Sequence, residues 1–426
     1  MWTWVDSDSA VRELVACVSA QQRYALDTEF HRERTYFPDL ALIQIAWIDE
    51  QAGSDGGERS IALIDPRRVD VSLLAPLLDS PAVAVLHAAA QDLEILYQEC
   101  GTIPRVVFDT QLAAGFVGAG LPSLANLVRL VVGRDLPKGD RLTDWSARPL
   151  SDDQQAYAAS DVMYLFTLHD WLLDKLTQQG RREWFEQETA DVAANSRKGL
   201  APVTDAWRKL KDAKSLRGPT RAVACEVAAW REHRARHLNL VPKMVMSDLA
   251  VLAIAHKRPT TEAQLQAVRG LDVRAMRGGV VAEVLAAVAR GIDGPVPAGF
   301  AENGDTLDKR LVPLVPLAQA MVGQLARDLG IEVSLLATRS DLQRAIRGEL
   351  DGRLAEGWRA EVVARPLQRL AAGELCLAYD PAGRLLLERR GQPTGPAAPD
   401  LAAATATTTA GAAVQSSPPQ TGTVFT

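Results

Sequence analysis

Tyr24-Ala-Leu-Asp-Thr-Glu-Phe30 is an apolar run interrupted by two carboxylates. It reads as a short strand, and the period of two along a strand puts Asp27 and Glu29 on one face. Two neighbouring carboxylates repel unless a cation lies between them, and a hard divalent ion with oxygen ligands answers that need. Taken alone, the triplet also describes a solvent-facing strand end. Working outward, Asp39 to Ile48, Ser60 to Pro66, Ala82 to His87 and Val106 to Thr110 read as four further strands. Short helices are expected at Leu73 to Leu78 and at Gln91 to Cys100, the latter stopped by Gly101. This alternation over residues 1–195 predicts an α/β domain, a mixed sheet flanked by helices.

Further polar groups recur in that frame. Asp92 falls in the first turn of the helix after the buried strand ending at His87, where the helix dipole alone would explain an acid. Ser151 and Gln154 form a capping-box pattern, so a helix starts there, and Tyr157 and Asp161 stack four apart on it. His87 closes a buried strand and reads as a core histidine. Asp109, between a strand and a helix, reads as an N-cap. Lys138 and Arg141 occupy a Pro- and Gly-containing loop and are candidates for phosphate contacts. Trp145 reads as packing rather than as a base-stacking platform.

The rest of the chain changes character. Residues 201–290 read as wholly helical, with helices at Arg221 to His237, Ser247 to Ala255, Thr261 to Val268 and Asp272 to Arg290. Their 16 Lys and Arg against 8 Asp and Glu give +8, so the remainder of a chain of net charge −6 carries −14. A Gly- and Pro-rich linker is expected at 291–312, helices again at 313–373, and a disordered Ala/Thr/Pro-rich tail at 391–426. Cys17, Cys100, Cys225 and Cys376 lie too far apart for a zinc motif and suit small buried positions in a reducing, cytoplasmic setting. The start has no signal-peptide pattern and no stretch is long and apolar enough for a membrane. No G-x-G-x-x-G follows a strand, which disfavours a nucleotide cofactor.

The set is more specific than its parts. Asp-x-Glu in the first motif, Asp92 opening a helix and Tyr157-x-x-x-Asp161 resemble, in that order, the DEDDy exonucleases, a superfamily branch with an RNase H-like fold. Within it, Leu26-Asp-Thr-Glu-Phe, Arg34-Thr-Tyr-Phe-Pro-Asp-Leu, Leu42-Ile-Gln, Leu86-His-Ala-Ala-Ala-Gln-Asp-Leu-Glu, Thr143-Asp-Trp-Ser-Ala-Arg-Pro-Leu and Tyr157-Ala-Ala-Ser-Asp-Val resemble the ribonuclease D family. Ala206-Trp-Arg-Lys-Leu-Lys, Ala229-Trp-Arg-Glu-His-Arg and Leu240-Val-Pro-Lys resemble an HRDC domain, a helical nucleic-acid-binding module, and 313–373 would be a second, degenerate copy. The resemblance implies a 3′→5′ exoribonuclease that releases nucleoside 5′-monophosphates with two Mg²⁺ or Mn²⁺ ions. Asp27, Glu29, Asp92 and Asp161 would be their ligands, and Tyr157 would orient or help deprotonate the attacking water. The implied partner is RNA with a free 3′ end, tRNA precursors included. The alternatives are a DNA exonuclease on the same fold, or an inactive RNA-binding scaffold whose signature would be a missing ligand.

Overall fold

The computed structural model describes residues 2–49, 58–137, 143–272, 279–298 and 307–390. Lys138, Arg141, part of the expected linker and the expected tail lie outside them. A six-stranded mixed sheet has the order β1-β4-β3-β2-β5-β6, from β1 (Trp2–Val5), β2 (Arg23–His31), β3 (Asp39–Asp49), β4 (Glu58–Ile64), β5 (Val83–Leu86) and β6 (Val106–Asp109). The central β4-β3-β2 pairs are antiparallel, whereas β1 on β4 and the β2-β5-β6 run are parallel. β1 escapes a reading by pattern because it has only four residues, Trp-Thr-Trp-Val, too few to show a period.

The pleat sorts the side chains. Tyr24, Leu26, Ile43, Ile45, Ala62 and Ile64 enter one buried cluster, under α1 (Asp8–Ser19), α2 (Ala75–Leu78) and α3 (Ala90–Cys100). Ala25, Leu42, Ala46, Ile61 and Leu63 enter the other, under α4 (Thr110–Phe116), α5 (Leu124–Val132), α6 (Asp152–Met163) and α7 (Leu165–Gln178). Asp27 and Glu29 follow Ala25 at steps of two, so they share the second face. α8 (Arg182–Ser196) crosses the β6 edge, packing on α3 with one end and on α4 and α7 with the other.

A helical unit follows: α9 (Gly218–Leu238), α10 (Pro242–Val245), α11 (Asp248–Lys257), α12 (Glu262–Gln266) and α13 (Val280–Asp293) around Trp207, Val227, Ile254, Leu265 and Val284. α13 runs through Gly291, where the sequence predicts a linker. A Cβ on Gly291 would lie 2.5 Å from Val223 Cα, so glycine is what lets α13 approach α9 and carry on. Several arginines of this basic block are structural. Arg231 is buried and pairs with Asp248 at 2.7 Å. Arg221 donates to Leu216 and Pro297 carbonyls. Arg236 packs over Tyr36 of the sheet domain, donating to its hydroxyl at 3.0 Å, while that hydroxyl donates to Glu232.

The last unit comprises α14 (Leu314–Leu329), α15 (Val333–Leu336), α16 (Arg339–Ile346), and α17 (Gly357–Arg359) continuing through a π turn at Ala360–Ala364 into α18 (Arg365–Ala371). A hairpin of β7 (Leu375–Asp380) and β8 (Arg384–Arg389) closes it, beyond the helical block read from sequence. Its apolar side chains belong to the same cluster as the second sheet face. Trp358 stacks on Trp184 with ring centroids 4.8 Å apart and meets Phe116 at 5.6 Å. Arg353 and the buried Arg359 pair with Glu188 of α8. Cys225 is buried and Cys100 and Cys376 half-buried, as expected, but Cys17 is exposed on the outer side of α1. Among the described residues no helix is long and apolar enough to cross a membrane.

Candidate active site

The antiparallel pairing of β2 with β3 fixes Asp27 and Glu29 beside the C-terminal half of α6, which carries Asp161, and a bulge between Glu29 and Phe30 bends the strand just beyond them. α6 starts where Ser151 accepts from Gln154 N and Gln154 Oε1 accepts from Ser151 N at 2.8 Å. The segment leading into it is anchored by Arg148, which donates to Asp65 at 2.7 and 2.8 Å and to the Ala41 carbonyl at 2.6 Å. Burial alone would raise the Asp65 pKa, yet hydrogen bonds from Arg148 and from the Arg67 N–H outweigh it and hold it below the usual carboxylate range. With α6 so fixed, Asp161 meets the strand: carboxylate oxygens of Asp27, Glu29 and Asp161 all lie within 4.8 Å of one another.

Asp92 stands outside that trio. It is buried on the first turn of α3, and its Oδ1 accepts from Thr28 Oγ1 at 2.5 Å. Thr28 carries no signal of its own in the sequence, yet it sits between the two acids of the strand and ties α3 to them. Asp109 does more than the expected N-cap. It accepts from Gln111 N and Leu112 N of α4, and also from Ala88 N and Ala89 N, both at 2.9 Å, in the turn that launches α3. Ala88 there has φ of 60°, a conformation an alanine takes only when held. Replacing Asp109 with Ala strands four N–H groups. It is expected to cost about 2 kcal/mol or more and to displace Asp92, seen as a lowered melting temperature together with slower turnover.

The electrostatics of the trio are lopsided. Burial, then the charges of Asp92, Asp161 and Glu29, push Asp27 well above the usual carboxylate range. Burial, then Asp161 and Asp92, push Glu29 up to about 8. Burial pushes Asp161 to about 7 and Asp92 to about 6. Among the described residues no Lys, Arg or His offsets these charges. A clustered, half-buried, oxygen-only donor set fits a divalent metal ion. Tyr157, on the same helix, is raised by burial and then by Asp161, Glu29 and Asp27, so its phenol keeps its proton. Its ring leans on the buried Trp145 at 6.0 Å, which agrees with the packing reading of that tryptophan. His87 bonds Thr110 Oγ1 at 2.9 Å, and burial holds its pKa down, as for a core histidine.

A cleft of about 940 Å³ runs between the sheet domain and the first helical unit, lined by none of Asp27, Glu29, Asp92 and Asp161. Arg32, Tyr36, Phe37, Tyr97, Lys209 and Lys243 line it. Arg32 pairs with the exposed Glu94 at 3.4 Å; Glu94 lies two residues beyond the buried Asp92 and so on another face of α3.

Comparison with known proteins fits this geometry. A family profile described as 3′-5′ exonuclease matches residues 2–177, and an HRDC domain profile matches residues 221–288. The ribonuclease D of Jannaschia sp. is 37% identical over 371 residues, covering 85% of this chain and 93% of that protein. The chain belongs to the ribonuclease D family. A second ribonuclease D, from Acidiphilium cryptum, is 32% identical over 88% of this chain and 94% of its own. The crystal structure of Escherichia coli RNase D, described as an exoribonuclease involved in structured RNA processing, superposes with a TM-score of 0.77 at 29% identity, covering 88% of this chain and 99% of that one. The activity that goes with the family is 3′→5′ exoribonucleolytic hydrolysis.

Proposed function

We propose that Asp27, Glu29, Asp92 and Asp161 form the catalytic acid set of this exoribonuclease, that it trims structured RNA such as tRNA precursors, and that it releases nucleoside 5′-monophosphates. The observation that carries this is the meeting of the Asp27, Glu29 and Asp161 carboxylates with, among the described residues, no Lys, Arg or His to balance them. The trio would hold divalent ions, two Mg²⁺ or Mn²⁺ on this reading, with Asp92 at its edge. Such ions polarise a phosphoryl oxygen and make bound water nucleophilic at neutral pH.

The chain's own groups do the rest. Thr28 fixes the carboxylate of Asp92 by its hydroxyl. Tyr157, protonated, donates a hydrogen bond that orients the water or the scissile phosphate, and its raised pKa argues against a role as the base. The RNA 3′ end would enter beside α6, and upstream nucleotides would run to the cleft between the sheet domain and the first helical unit. There Tyr36, Phe37 and Tyr97 offer stacking surfaces, and Lys209 and Lys243 offer phosphate contacts. Arg221, Arg231 and Arg236 already bond within the protein, so the exposed lysines of the first helical unit, rather than its whole +8, would carry RNA affinity. On this reading 1–195 is the catalytic domain and 201–290 the HRDC domain. Residues 313–373 would be a second, divergent copy that serves as a buttress rather than as an RNA grip, because its apolar side is spent on the catalytic domain. Lys138 and Arg141 stay candidate substrate contacts, and the cell compartment this reading implies is the cytoplasm.

Tyr157→Phe tests the positioning role. It keeps the ring on Trp145 and removes the hydroxyl, so kcat on a single-stranded 3′ tail is expected to fall about 10²-fold with melting temperature unchanged. An unchanged kcat at saturating Mg²⁺ returns Tyr157 to packing.

A further inference from the structure

Gln44 of β3 is fully buried, and neither its amide nitrogen nor its amide oxygen has a hydrogen-bond partner. Leaving a buried donor or acceptor unmade costs about 1–3 kcal/mol per group, so a core position that holds a glutamine in this state calls for a use. The register supplies one. Gln44 is the direct partner of Asp27 across the antiparallel β2–β3 pair, and of Leu63 on its other side. Directly paired residues project from the same face with Cβ atoms about 4.5–5.5 Å apart. Around Gln44 on that face, Ala25, Leu42, Ala46, Leu63 and the α6 residues Ala158, Ala159 and Val162 are apolar. Its cross-strand neighbour Asp27 is the polar group that the register sets against it.

We propose that Gln44 is the positioning residue for Asp27: its side-chain N–H donates to the Asp27 carboxylate when the acid set holds a divalent cation. A ligating carboxylate needs its remaining lone pairs engaged to hold one orientation, and such supporting hydrogen bonds are typically worth about 10–100-fold in metal affinity. Asp92 has its donor in Thr28. Gln44 is the corresponding donor for Asp27, supplied from inside the core rather than from the cleft.

The inference rests on the reading of the acid trio as a cation site, and the experiment separates the two. Mg²⁺ affinity is measured by calorimetry on the full chain for wild type, Gln44→Met and Gln44→Leu, with melting temperatures in EDTA and in excess Mg²⁺. The methionine variant keeps the volume and removes both unpaired atoms. It is expected to melt no lower than wild type in EDTA, yet to bind Mg²⁺ about 10–100-fold more weakly and to gain less stability from Mg²⁺. Wild-type Mg²⁺ affinity in both variants overturns the role of Gln44 and leaves the cation site standing. That role is equally overturned if both variants fail to fold, or lose equal stability with and without Mg²⁺, since the amide is then structural. Absence of Mg²⁺ binding by the wild type overturns both readings.

Discussion

Asp27→Asn is expected to abolish RNA cleavage while raising the melting temperature in metal-free buffer at pH 8. The two effects share one cause. Burial and the Asp92, Asp161 and Glu29 charges around Asp27 make its ionised form costly, and Glu29 is pushed up to about 8 by the same crowding. A carboxylate whose folded pKa lies above its unfolded value binds a proton more readily in the native state. Native stability therefore falls as pH rises from about 3.9, the unfolded value of an aspartate, toward that folded value. An uncharged amide at position 27 removes whatever part of that cost has developed at pH 8. Each kcal/mol relieved appears as a rise of about 2–4 °C. In Mg²⁺ the order reverses, because binding to the native state stabilises the wild type by mass action and the variant has lost a ligand. The loss of rate is expected to be at least about 10³-fold, since the charge stabilisation supplied by bound metal is several kcal/mol. Glu29→Gln and Asp161→Asn should behave alike. A variant that keeps its rate, or melts lower in EDTA at pH 8, removes that residue from the set.

Trp358→Ala is expected to unfold the catalytic domain together with the C-terminal unit. Trp358 is 6% exposed, stacks on Trp184 of α8 and meets Phe116 of α4, so its truncation opens a cavity in a core that both units share. Removing a buried tryptophan costs about 3–5 kcal/mol, or roughly 10 °C or more of melting temperature. Arg359→Ala should rank close to it, because Glu188 is buried on α8 and leans on Arg359 and Arg353. Arg181 adds to the seam by donating to the carbonyls of Phe116, Leu329 and Gly330. Scanning calorimetry should show the sheet domain and residues 314–389 melting in one transition, with the first helical unit, whose core is separate, free to melt on its own. A C-terminal unit that melts alone, leaving cleavage intact, would contradict the shared core.

The acidic face was legible because its signals are local. Asp27 and Glu29 two apart in a strand, and Tyr157 and Asp161 four apart behind a capping box, carry their geometry in their spacing. Asp109 was legible as a cap but not as the clamp on Ala88 and Ala89, because that contact joins turns about 20 residues apart in sequence. Thr28 and Gln44 look like ordinary strand residues until the sheet register sets them against Asp92 and Asp27. The +8 of residues 201–290 is plain in the sequence, but charge counting cannot tell a phosphate contact from Arg231 buried on Asp248. α13 runs on through Gly291 because close helix packing needs that glycine, whereas composition alone marks it as the start of a linker. The seam between α8 and α17 joins residues more than 160 apart, beyond any local pattern.

The most direct test of the catalytic assignment uses one RNA. A hairpin with a single-stranded 3′ tail, labelled at its 5′ end, is incubated with the chain in Mg²⁺ and in EDTA, beside its DNA counterpart. The expected result is a ladder of labelled RNA shortening one nucleotide at a time from the 3′ end, with unlabelled nucleoside 5′-monophosphates as product, in Mg²⁺ and not in EDTA. Labelled mononucleotide appearing first, cleavage of a circularised RNA, or equal cutting with and without Mg²⁺ would contradict it, and faster trimming of the DNA counterpart would move the substrate from RNA to DNA.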